Sequence, residues 1–174
     1  REEIAAACGP HAPPVVFVEW IADIPIEIEV VASAAASPLE LTPAESVKYL
    51  TPPDMTSSPV YSRMAVISAS PIYVAGLVAQ GDAAADPTAE SRDLFRQLQE
   101  ILAHSDCNSD LKHLVKATYY CSHDSTSRTL NAIRPDYYDP ARPPAASKAI
   151  VPGVGHPDRK ITLDMIAVPK PAAP

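Results

Sequence analysis

Two periodicities alternate along this chain. Short runs of alternating or β-branched apolar residues mark strands at 15–20, 26–31, 62–68, 72–79, 114–121, 149–151 and 161–168. Between them, Leu94, Phe95, Leu98, Ile101 and Leu102 recur at helical spacing and predict an amphipathic helix over about 88–104, with Thr88 as its N-cap. A second helix is predicted over 126–138, stopped by the proline-rich stretch at 140–144. Ala69-Ser70-Pro71 reads as the turn of a hairpin joining the strands at 62–68 and 72–79. From residue 62 onward the predicted order is β-β-α-β-α-β-β, an α+β layer with two helices on one face of a single mixed sheet.

The N-terminal part has the same texture without a matching beginning. Residues 1–8 read as the last turns of a helix, ended by Gly9-Pro10. The strands at 15–20 and 26–31 follow, joined by a turn through Pro25. In the second of these, alternation puts the isoleucines on one face and Glu27 and Glu29 on the other. A lone hairpin is marginal in water, so this pair must pack on something else. IEIEVVA at 26–32 is echoed by ITLDMIAV at 161–168, with Glu27 and Thr162 in equivalent places about one small domain apart. The expectation is the end of one module (1–32), a linker (33–58), a complete second module (59–169) and a short tail (170–174). A chain opening at Arg1 inside a helix end reads as a fragment or a processed chain. Within the linker, Thr42, Pro43 and Glu45 form a capping pattern that predicts a short helix at 43–49.

Composition narrows the chemistry. The formal net charge is −7 and no run of Lys or Arg occurs, so the basic face that displaces counterions from nucleic acid is missing. The 20 prolines, roughly twice the usual share, gather at connections. Three cysteines, with no C-x-x-C, suggest neither a disulfide framework nor a zinc site, and fit reduced thiols in a cytoplasmic protein. The five histidines are scattered, with no H-E-x-x-H, so neither a metal nor another cofactor is expected. No apolar run has the length of a bilayer span, and no membrane association is expected.

Six segments, in order, resemble the RidA (YjgF-like, reactive-intermediate deaminase) family. They are PVYSRMAV at 59–66, IYVAGLVA at 72–79, LVKATYYC at 114–121, NAIRPDYYDP at 131–140, PPAASKAIV at 143–151 and ITLDMIAV at 161–168. The stretch at 15–32 resembles the C-terminal strands of another copy. The resemblance implies a chorismate-mutase-like fold, a homotrimer or higher oligomer, and small-molecule clefts between subunits or modules. It also implies hydrolysis of enamine or imine metabolites to ketoacids and ammonia. An arginine would hold the substrate carboxylate, and a glutamate with backbone groups would position water. The endoribonuclease activity attached to the family by name fits poorly with the acidic charge.

Against that pattern the chain departs at both key positions. Ala146 stands where the family's P-A-R-S motif has its arginine, and Thr162 stands where it has its glutamate. Losing a charge-assisted contact to a carboxylate costs roughly 1.5–3 kcal/mol, which favours either a changed catalytic site or a non-catalytic ligand-binding or assembly member. Candidates for the changed site are Arg142, four positions before Ala146, Lys148 on the same strand, and Glu27 from the first module. Tyr61, Tyr73, Gly76, Ala146 and Ser147 match positions that line the family's cleft. The missing part of the first module is a further expected partner.

Overall fold

The computed structural model describes residue 6 and residues 16–20, 47–56, 61–139 and 141–171. From residue 47 onward the described strands and α-helices run in the order β1 (Val47–Leu50), β2 (Met64–Ile67), β3 (Ile72–Leu77), α1 (Pro87–Ala103), β4 (Leu114–Cys121), α2 (Asp124–Ile133), β5 (Ala145–Ile150) and β6 (Ile161–Ala167). The main sheet has the order β3-β6-β4-β5. β4 and β5 are parallel, and β6 runs antiparallel to both β3 and β4. The crossovers β3-α1-β4 and β4-α2-β5 step across the sheet in the same direction. Their shared right-handedness therefore puts both helices on one face.

Helix α1 buries Leu94, Phe95, Leu98 and Leu102, and α2 buries Leu130 and Ile133, against Val74, Ala117, Tyr119, Cys121, Leu163 and Met165 of the strands. Phe95 stacks on Tyr137 with ring centroids 4.3 Å apart and meets Tyr138 edge-on at 5.9 Å. The predicted α+β layer is thus observed. Its boundaries shift where local chemistry competes. The cap of α1 is Asp86, whose Oδ2 accepts from Ala89 N at 2.9 Å, with Pro87 at the first helical position, in place of Thr88. Helix α2 begins at Asp124 and gives way at Pro135 to a 3-10 turn, Arg134–Asp136, short of the predicted residue 138.

Two expectations are corrected. Residues 47–49 are extended, not helical: β1 pairs antiparallel with β2, and Tyr49 Oη donates to Leu114 O at 2.5 Å. Tertiary pairing outweighs the weak local capping signal. The hairpin expected between 62–68 and 72–79 does not form either. β2 belongs to a two-stranded sheet with β1, while β3 pairs with β6 in the main sheet. Two apolar runs across a short turn allow a hairpin without specifying which partner wins.

Of the N-terminal strands, 16–20 is described in part. Glu19 bridges antiparallel to Gly153, donating its N–H to Gly153 O at 2.8 Å. Gly155, at φ +72, lets the Phe17 backbone approach: a Cβ there would lie 2.7 Å from Phe17 O. The strand expected at 26–31 lies outside the described residues.

Candidate ligand-binding site

β5 is an edge strand of the main sheet, and its alternation sorts the candidates by face. Ala146 packs against the core beneath the helices. Lys148, two residues on, lies on the same face and is exposed, its Nζ donating to Asn131 Oδ1 of α2 at 3.1 Å. Ser147 faces the other way, where its hydroxyl accepts from Lys116 Nζ at 2.9 Å beside Thr118, its register partner. Tyr119 is the register partner of Lys148 on β4 and is fully buried.

Across Tyr119 lies a residue the sequence pattern did not single out. Arg134, at the end of α2, places its Cζ 5.1 Å from the Tyr119 ring centroid and is only 8% exposed. It also hydrogen-bonds the Tyr119 hydroxyl, which in turn pairs with the Tyr138 hydroxyl. Its Nε is buried without a hydrogen-bond partner. Among the described residues, neither Arg134 nor Lys148 has a carboxylate within ion-pair distance. The two cations feel each other. Lys148 is held below the ordinary lysine range by desolvation first and then by Arg134, against the opposing pull of Asp124. Burial pushes the Cys121 thiol up to about 11, which keeps it protonated and unreactive. Burial likewise raises Tyr119, so its hydroxyl stays neutral.

The sequence carries no separate signal for Arg134: it lies inside the helix predicted over 126–138, and tertiary structure brings it over Tyr119.

The other candidates are dispersed. Arg142 lies in the turn before β5, its Nε 3.4 Å from Asp139 Oδ2 and its backbone N–H bonded to Asp139 O. Tyr61 is half-buried, with Arg63 Cζ 5.0 Å from its ring centroid. Tyr73 is 48% exposed on the helix-free face of β3. Gly76, at φ +70, forms the bulge where the β3–β6 register shifts, a backbone role that favours glycine. Thr162 is buried, and its hydroxyl donates to Leu77 O at 3.0 Å, beside that bulge. Glu27 lies outside the described residues.

A second buried charge lies near the start of β6. Glu90 of α1 accepts from Lys160 N at 2.7 Å and Ile161 N at 3.1 Å through Oε1, while its buried Oε2 has no partner. Desolvation raises its carboxyl above the ordinary range, only partly offset by those backbone bonds. Among the described residues no three His, Cys, Asp or Glu side chains converge as a metal site, and no helix is long and apolar enough to cross a membrane.

A four-stranded mixed sheet with two crossover helices on one face defines the chorismate-mutase-like class of α+β domains. Residues 54–169 match the family described as Endoribonuclease L-PSP. The chain belongs to that family, the RidA/YjgF group. A protein of the conserved Rid family from Yersinia pestis is 19% identical, with 71% of this chain and 98% of that one covered at a TM-score of 0.62. A YjgF-family protein from Neisseria meningitidis is 22% identical, covering 72% and 97% at 0.52. At these identities the likeness is one of fold. No curated protein matches the sequence.

Proposed function

We propose that this chain is a divergent Rid-like protein that binds a small carboxylate-bearing metabolite at the β5 edge and hydrolyses its enamine or imine. One observation carries the reading. Lys148 and Arg134 flank Tyr119 with no carboxylate in ion-pair distance among the described residues, and a buried guanidinium without a counter-charge is costly. A ligand carboxylate supplies that counter-charge. Lys148 shares β5 with Ala146, and Arg134 reaches its β4 neighbour Tyr119 from the end of α2, so these two cations take over the anchoring that the family resemblance assigns to β5. The cleft is completed by a neighbouring subunit or module, in a cytoplasmic homotrimer or higher oligomer.

The test is release of ketoacid from an imine generated in place from serine by a dehydratase. Release faster than in buffer, lost on Lys148→Ala, supports the reading. A rate equal to buffer removes the hydrolase.

A second reading, ligand binding without catalysis, is favoured by Thr162. The residue in the glutamate position spends its hydroxyl on Leu77 O and carries no carboxylate to orient water. Ketoacid-induced thermal stabilisation without turnover is its signature.

A further inference from the structure

We propose that Lys148 Nζ is a covalent nucleophile that forms a Schiff base with a small 2-ketoacid or exchanges with the corresponding imine. The inference rests on the anion site just described and adds a chemical step that the family resemblance does not imply.

The geometry separates Lys148 from Lys170 and Lys116. Lys170 is tied to Asp110 at 3.2 Å, which favours its ammonium form. Lys116 donates to two hydroxyls, Thr118 at 2.8 Å and Ser147 at 2.9 Å. Lys148 makes a single bond, to Asn131 Oδ1 at 3.1 Å, and sits at the register position of Tyr119, whose ring the Arg134 guanidinium overlies at 5.1 Å. A neighbouring guanidinium disfavours the ammonium and so exposes the amine lone pair, one of the recognised ways to activate a lysine. Partial desolvation acts in the same direction, whereas the Asp124 carboxylate opposes it. The residue is exposed, so a ligand reaches it without any opening of the fold. The guanidinium that unsettles the ammonium also attracts the ketoacid carboxylate, holding the adjacent carbonyl carbon close to the amine.

The step balances without an external oxidant or reductant. The Nζ lone pair adds to the carbonyl carbon, the C=O π electrons move to oxygen, and the carbinolamine loses water to leave a C=N bond. With an imine substrate the amine displaces ammonia. Water then hydrolyses the protein-bound imine to the ketoacid and restores the free lysine.

The experiment treats the full chain with pyruvate and cyanoborohydride near neutral pH and maps reduced adducts by peptide mass spectrometry. A parallel thermal-shift titration uses pyruvate alone. The expected result is an adduct on Lys148 ahead of Lys48, Lys112, Lys116, Lys160 and Lys170. It disappears in Lys148→Arg, a variant that keeps the positive charge. Adducts spread over the lysines in proportion to their exposure, or none on Lys148 while pyruvate still stabilises the chain, overturn the nucleophile and leave the non-covalent site standing. No adduct and no stabilisation overturn both.

Discussion

The Arg134 guanidinium lies over the Tyr119 ring, 5.1 Å from Cζ to the ring centroid, with its Nε buried and unbonded. A charge so placed costs stability in the empty protein and returns it on ligand binding. Arg134→Met, of similar bulk, is therefore expected to leave the melting temperature unchanged or raise it. The same change removes a charge-assisted contact worth about 1.5–3 kcal/mol, roughly tenfold or more in ketoacid affinity. Differential scanning fluorimetry with and without pyruvate reads both effects.

Glu90 gives a pH-dependent prediction. Its folded pKa is raised above the ordinary 4.5, so the folded chain holds this proton more tightly than the unfolded chain. Its favourable contribution is complete below the unfolded value and is lost as pH rises through the folded one. The advantage of the wild type over Glu90→Gln should then be greatest at acid pH and shrink toward neutrality. Urea unfolding below pH 4.5 and at pH 7 provides the comparison. Glu90→Ala, which strands the N–H groups of Lys160 and Ile161, is expected to cost about 2–4 kcal/mol at acid pH and less at pH 7.

Gly155 holds the 16–20 segment against the main domain. A side chain there meets the Phe17 carbonyl oxygen at 2.7 Å and must adopt φ +72. Gly155→Val is expected to cost about 1–3 kcal/mol and to speed hydrogen exchange at the Glu19 amide, which is bonded to Gly153 O. Exchange at Glu19 no faster than in the wild type would show that this contact does not hold the segment.

Phe95 is fully buried between α1 and the Tyr137–Tyr138 pair. Phe95→Ala is expected to cost about 3–5 kcal/mol by opening a cavity. Denaturant unfolding followed by circular dichroism measures it.

The layer order was legible because it rests on strong periodicities. The α1 stripe from Leu94 to Leu102 and the apolar runs of β3, β4 and β6 each specify an element by themselves. Partner choice was not legible. Nothing in residues 62–68 says that β2 will leave β3 for Val47–Leu50, because both pairings bury similar apolar edges. The departures at Ala146 and Thr162 could be read from the resemblance, as could Lys148 as a substitute cation. Arg134 could not. Its position falls inside the helix predicted over 126–138, and only the crossover of α2 brings it over Tyr119, fifteen positions earlier in the chain.

β6 runs between β3 and β4 although it is the last of the sheet's described strands in sequence. On the ribosome, the main sheet therefore stays open at its centre until Ile161–Ala167 clears the exit tunnel. Until then β3 and β4 each offer a naked edge to any nascent neighbour, so chaperone capture of this domain should be heaviest just before its final strand is translated.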